Sequence, residues 1–252
     1  MIEITDIHKS FDDKHVLKGI STVFESGKTN LIIGTSGSGK TVFIKCMIGL
    51  FDIDKGEISY DGRILSKMDK KEKKNLRTDI GMLFQGSALF DSMTVQENIM
   101  FPLDMFTHQT YKEKINRVNE VLERVNLVDA NDKYPSEISG GMMKRVGIAR
   151  AIVLRPKYLF CDEPNSGLDP KTSLTIDALI SEITAEYGIT TIINTHDMNS
   201  VMGMGQKIVF LRNGFKHWEG TSQEIVNSGN SELTDFIFAS EFLKQLQKGA
   251  GI

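Results

Sequence analysis

Short apolar runs recur along the chain at residues 2–7, 29–33, 57–60, 79–84, 157–161, 190–194 and 207–211. Each has the length of a strand and is too short for an ordinary helix. Helical patterns separate many of them, which predicts an α/β chain whose mainly parallel sheet is covered by helices. Asp61-Gly62 and Asn213-Gly214 are the residue pairs that tight hairpins need, so antiparallel ribbons are expected beside that sheet. The stretch from about Ser87 to Leu154 differs. It lacks a clear strand and reads as helices near residues 94–100, 111–125 and 140–154, an insertion (about 87–155) between two portions of the core, 1–86 and 156–220. Beyond residue 220, a polar segment leads into Leu233, Phe236, Ile237, Phe242, Leu243 and Leu246, whose spacing predicts a terminal helix within an extension, 221–252.

Composition narrows the class. With 40% hydrophobic and 25% charged residues and only 5 Pro, the chain can bury a large core and is neither disordered nor collagenous. Its 252 residues suit one core with an added subdomain. A formal charge of −3 offers no general argument for a nucleic-acid partner. No apolar run approaches the ~18 residues of a membrane span. Residues 1–8 carry charge where a signal peptide would be apolar, so a cytoplasmic protein is expected. Cys46 and Cys161 lie in apolar segments and read as buried free thiols. Any membrane role would then come through a partner.

Three segments carry chemistry. Gly34-Thr35-Ser36-Gly37-Ser38-Gly39-Lys40-Thr41 follows the apolar Leu31-Ile32-Ile33 and precedes a helical pattern. Glycines at these positions let the main chain curl so that its N–H groups face phosphate oxygens, and the helix start adds positive potential. Lys40 would reach the β- and γ-phosphates and the Thr41 hydroxyl would hold Mg²⁺. The run Tyr158-Leu159-Phe160-Cys161-Asp162-Glu163 is a strand ending in two carboxylates, where α/β sheets bind ligands. Asp162 would hold Mg²⁺ through its water shell, and Glu163 would orient or deprotonate an attacking water. Ser139-Gly140-Gly141 opens a helix with a good N-cap followed by two poor helix formers, a start stripped of side chains that suits an anion. It cannot easily serve the phosphates of the first loop from an inserted subdomain, and a second subunit is the simplest way to use both.

In this order the elements resemble the nucleotide-binding subunits of ATP-binding cassette (ABC) transporters over residues 1–220. The resemblance implies a P-loop NTPase core of mainly parallel sheet with an antiparallel β ribbon and an inserted α-helical subdomain. Residues 34–41 match the Walker A loop and 158–163 the Walker B strand. Ile138-Ser139-Gly140-Gly141-Met142 resembles the signature motif. Phe11 stands where the family stacks an aromatic on adenine, with Val16 nearby. Gln85 matches the Q-loop, a further catalytic and Mg²⁺-binding position; Ser166-Gly167-Leu168-Asp169 matches the D-loop and His196 the H-loop histidine. ATP and Mg²⁺ are the implied ligands. A head-to-tail dimer would sandwich two ATP between one subunit's residues 34–41 and the other's 139–141, and its reopening would drive a permease docked at residues 85–99.

Two positions depart from that pattern: the signature begins with Ile138 for the usual leucine and ends in Met142 for the usual glutamine. The Ser139 hydroxyl and the main-chain donors survive the change, so what it touches is a polar contact at the dimer interface. The wording of residues 89–103 together with Ser139-Gly140-Gly141-Met142 looks like the ATPase of Mla-type lipid transporters. Those pair it with a permease and a periplasmic MCE protein to move phospholipid in the Gram-negative envelope. A place on the cytoplasmic face of the inner membrane follows, and a small regulatory protein is a further candidate partner. The competing readings are a cell-division or lipoprotein-release cassette, another importer, a DNA-repair clamp and a P-loop kinase. A kinase has no use for Ser139–Gly141 plus His196, and a clamp usually needs coiled-coil insertions or zinc-binding cysteine pairs. Lys67 to Arg77 holds six basic and two acidic residues, read as a solvated helix face in preference to a lipid-headgroup contact.

Overall fold

The computed structural model describes residues 1–225 and 228–238. The chain divides into two compact units, Met1–Lys67 with Asn194–Ile252, and Met68–Ile193. Of the predicted terminal helix, Leu233, Phe236 and Ile237 fall in the helix Ser231–Ile237, while Phe242, Leu243 and Leu246 lie outside the described residues.

The first unit is built on two sets of strands. Ile2–Phe11 runs antiparallel to Lys14–Phe24 on one side and to Lys55–Tyr60 on the other, with Ile4 opposite Thr22 and Ile58. The short strand Arg63–Ile64 closes a hairpin over Asp61-Gly62, both at positive φ as a type I′ turn requires. The strand Lys14–Phe24 had no counterpart in the sequence reading. Its turn, at Asp12 and Asp13, has only Asp12 at positive φ and lacks the glycine that would mark it. In the second set Thr29–Ile33 lies parallel to Lys207–Arg212, which turns through Asn213-Gly214 into the antiparallel Phe215–Gly220. All five residues of Thr29–Ile33 are buried, the signature of a strand covered on both faces. The helix Lys40–Met47 follows, with Phe43 against Phe24 and the Tyr60 hydroxyl donating to the Met47 carbonyl at 2.7 Å.

In the second unit Ile80–Leu83 lies parallel to Tyr158–Asp162, with Leu83 opposite Cys161. The expected helices appear as Val95–Phe106, Tyr111–Arg124 and Gly140–Ile152, and they pack on one another. Val95, Ile99 and Leu103 of the first, Val118, Val121 and Leu122 of the second and Val146, Ile148 and Ile152 of the third are buried. The first two begin with reciprocal capping boxes, Thr94 with Glu97 and Thr110 with Glu113. The first also runs past its expected end at residue 100, carrying Pro102 inside it. The basic run forms the helix Lys70–Thr78, capped by Asp69, with only Leu76 buried, which is the solvated face anticipated. A long helix, Pro170–Tyr187, is capped by Asp169, and the unit ends at Ile193, within the strand Thr190–Asn194. Cys46 and Cys161 are both buried and free; burial pushes the Cys46 thiol up to about 12, so neither is poised to react.

Candidate nucleotide site

The predicted phosphate loop, residues 34–41, belongs to the first unit. Gly34 adopts φ +150°, and a Cβ there would collide with the Leu211 carbonyl and approach the Ser38 hydroxyl to 2.8 Å, so only glycine fits. The loop curls back on itself through the Ser38 N–H, which donates to Thr35 O at 3.2 Å. Gly39, left-handed at φ +103°, precedes the helix Lys40–Met47 and provides it with no side-chain cap. Lys40 is 7% exposed and its ammonium donates to the carbonyls of Gly34 and Thr35 at 2.9 and 3.1 Å. The Ser38 hydroxyl is also buried, and it has no hydrogen-bond partner among the described residues. A buried hydroxyl ordinarily has one, because leaving it unpaired costs free energy. A curled loop, an uncapped helix start, an inward ammonium and an unused hydroxyl are together a fit for a polyphosphate.

The same unit holds further predicted residues, of which Val16 meets this loop. The Asn194 amide donates to Thr41 Oγ1 at 3.4 Å. Thr195 N–H donates to Ile32 O at 3.1 Å, two residues before Gly34, and sets the exposed His196 next to the end of the Thr29–Ile33 strand. The Val16 carbonyl lies 3.3 Å from where a side chain at Gly39 would begin. Phe11 is 38% exposed, meets the Phe51 ring edge-on at 5.1 Å and carries the Lys9 ammonium 5.2 Å from its centroid. It is a partly open aromatic face on a supported ring.

The carboxylates belong to the second unit. Asp162 ends the Tyr158–Asp162 strand and is buried; Glu163 follows at φ +48°, an uncommon conformation for a non-glycine residue. The Gln85 side-chain amide donates to the Glu163 carboxylate at 3.2 Å, so two residues separated by 78 positions meet side chain to side chain. Ser139 caps the helix Gly140–Ile152, accepting from Met142 N–H at 3.3 Å, and Ser139 and Gly140 are exposed. A Cβ at Gly141 would come within 2.7 Å of the Thr172 methyl, which gives that glycine a packing reason besides an open helix start. Asp169 is used locally: it accepts from Lys171 N, Thr172 N and the Thr172 hydroxyl, and the Thr172 bonds hold its carboxyl below the usual range.

Three residues at these sites escaped the sequence reading. Lys144 and Arg150, on the helix that Ser139 caps, donate to carbonyls of the segment that begins at Gln85. Asn98 is fully buried; it accepts from Phe90 N and donates to Phe90, Met93 and Thr94 carbonyls, knitting the segment after Gln85. No local pattern marks them, since lysine, arginine and asparagine on a helix ordinarily face water.

Comparison with known proteins agrees. A family model described as ABC transporter matches residues 17–166. The methionine import ATP-binding protein MetN of Campylobacter jejuni is 37% identical over 97% of this chain and 78% of its own length. The probable ribonucleotide transport ATP-binding protein mkl of Mycobacterium tuberculosis is 40% identical over 79% of this chain and 55% of its own length. Among solved structures, the dimeric post-hydrolysis state of the ATP-binding cassette MJ0796, bound to ADP and Pi, superposes with a TM-score of 0.80 at 29% identity, covering 88% of this chain and 99% of that one. No helix of the described residues is long and apolar enough to cross a membrane. The loop, the carboxylates and these likenesses converge: the chain belongs to the ABC transporter family, as an ATP-binding and ATP-hydrolysing cassette.

Proposed function

We propose that this chain is the ATPase subunit of a membrane transporter, working as a head-to-tail dimer that closes on two ATP and reopens on hydrolysis. The observation that carries the reading is the curled loop at residues 34–41, whose Lys40 ammonium is buried against its own carbonyls and whose Ser38 hydroxyl is buried with no partner among the described residues. Residues 1–220 would form the cassette and 221–252 an extension. Phe11 would stack on adenine beside Val16. Gly34, Thr35, Ser36, Gly37, Ser38 and Gly39 would wrap the phosphates, with Lys40 on the outer two. Thr41, Gln85 and Asp162 would hold Mg²⁺, which when bound neutralises charge on the phosphates. Glu163 would accept the proton of the attacking water, with Gln85 and His196 orienting it. Ser139, Gly140, Gly141 and Asp169 would face the partner's nucleotide. The dimeric state of the MJ0796 cassette supports this assembly.

The permease would dock at residues 85–99, which would place the protein on the cytoplasmic face of the inner membrane. For cargo we infer glycerophospholipid, from the resemblance of residues 89–103 to Mla-type ATPases, with an MCE protein and a small regulatory protein as further partners. The methionine-import relative favours a second reading, uptake of an amino acid. Two measurements test the assignment. Subunits carrying Ser139→Arg, mixed with wild type, should poison its ATPase activity; independent turnover of the two would remove the shared sites. The native complex, purified with its permease and placed in liposomes, should then move labelled phospholipid with ATP. Movement of labelled methionine alone would transfer the assignment to the second reading and leave the ATPase chemistry in place.

A further inference from the structure

The helix Gly140–Ile152 turns two cations toward the Gln85 segment. Lys144 is 5% exposed, rare for lysine unless the ammonium is paired. That ammonium donates to the main-chain carbonyl of Gln85 and, at 3.4 Å, to that of Glu163. The Ser166 hydroxyl shares the Gln85 carbonyl at 3.5 Å. Six residues further along, Arg150 donates to the carbonyls of Ser87 at 2.6 Å and Ala88 at 2.8 Å, two non-glycine residues held at φ +62° and +47°. Between the two cations, Gly147 seats the helix against the strand that leads into Gln85; a Cβ there would stand 2.6 Å from a Leu83 methyl.

One rigid helix therefore grips both ends of the segment from Gln85 to Ala88 and the peptide of Glu163. Glu163 sits at φ +48°, where a non-glycine residue persists only if its surroundings hold it. The bond from Lys144 to its carbonyl is one such constraint, and its reach to Gln85 sets the other partner of the 3.2 Å side-chain pair. Lys144 touches no group assigned to the reacting atoms; it acts on the residues that do.

We propose that Lys144 is a positioning residue for hydrolysis, fixing the Gln85–Glu163 pair from the helix that Ser139 caps and so tying a subunit's own water-activating carboxylate to the motif it lends its partner. The second clause rests on the shared-site reading above; the first does not. Burial holds the Lys144 ammonium below the usual lysine range, opposed by Glu163 and Asp162 among its neighbours.

The test uses the full chain with Lys144→Met, which keeps the bulk and removes the donors, and Lys144→Gln, which keeps one donating group. Lys144→Met should lower kcat by about 10- to 100-fold, the scale of a misplaced catalytic group, while KM for ATP and binding of a fluorescent ATP analogue stay within about threefold. Lys144→Gln should fall between Met and wild type. Wild-type kcat in Lys144→Met overturns the proposal. So does an equal loss of kcat and analogue binding without recovery in Lys144→Gln, the mark of a merely structural lysine. If Lys144→Met does not fold, Lys144→Gln decides: a partial kcat loss at unchanged KM supports the proposal and wild-type kcat refutes it. The Ser139→Arg mixing experiment is read separately. Poisoning there with a silent Lys144→Met sinks this inference alone, whereas no poisoning with a reduced kcat removes only the coupling between subunits.

Discussion

The loop at residues 34–41 and the cluster around Glu163 are built from different materials. The loop is made of main chain, contiguous in sequence, with glycines where a side chain would collide and one lysine and one serine turned inward. The cluster is made of side chains drawn from separate elements: Gln85 after one strand, Glu163 after another, Lys144 and Arg150 from a helix. Binding a polyphosphate needs many similar donors on one concave surface, which a single curled segment supplies. Activating one water needs a few dissimilar groups at fixed mutual distances, which no single segment can hold.

Substitutions can break or sharpen that contrast. The largest effect is expected at Lys40→Ala, which removes the loop's one cation and should depress ATP turnover by about 10³-fold while weakening nucleotide binding. Steady-state hydrolysis beside analogue binding checks both, and wild-type turnover would retract the phosphate-loop assignment. Glu163→Gln should act on the other limb only: ATP binding kept, kcat down at least ~100-fold, and a closed dimer accumulating with ATP on a sizing column. Normal turnover in that variant would move the base elsewhere, with His196 next in line.

Third comes stability. Asn98→Ala strands the Phe90 N–H and takes a donor from the Phe90, Met93 and Thr94 carbonyls, of which Phe90 and Thr94 keep the main-chain N–H of Met93 and of residue 98, so urea unfolding should show a loss of about 1–3 kcal/mol. A change under ~0.5 kcal/mol would show that the segment holds itself. Ser38→Ala, by contrast, deletes a buried hydroxyl with no partner among the described residues and should leave unfolding without nucleotide within ~0.5 kcal/mol. ATP affinity should nevertheless fall severalfold; unchanged affinity would mean that hydroxyl does not face phosphate. Smallest of all, Met142→Gln should leave hydrolysis within a fewfold of wild type, since Ser139 and the main-chain donors at the helix start are untouched. A loss approaching that of Lys40→Ala would give Met142 a packing role at the dimer interface.

Much of this protein was legible in the residues alone, for local reasons. A strand such as Thr29–Ile33 announces itself by the short apolar run Leu31-Ile32-Ile33, Asp61-Gly62 and Asn213-Gly214 by a conformation few other residues tolerate, and helix starts at Thr94 and Thr110 by a hydroxyl three residues before a glutamate. The loop at residues 34–41 belongs with these, because its curl is written in the φ angles that glycine permits. The strand Lys14–Phe24 was missed because its register depends on a partner strand and its turn lacks glycine. Lys144, Arg150 and Asn98 were invisible for a related reason: a polar side chain on a helix is solvent-facing until the tertiary structure supplies a buried carbonyl for it. Residues whose role is to bend their own main chain can be read in sequence, and residues whose role is to hold another segment in place are decided only when the chain has folded and brought that segment within hydrogen-bonding distance.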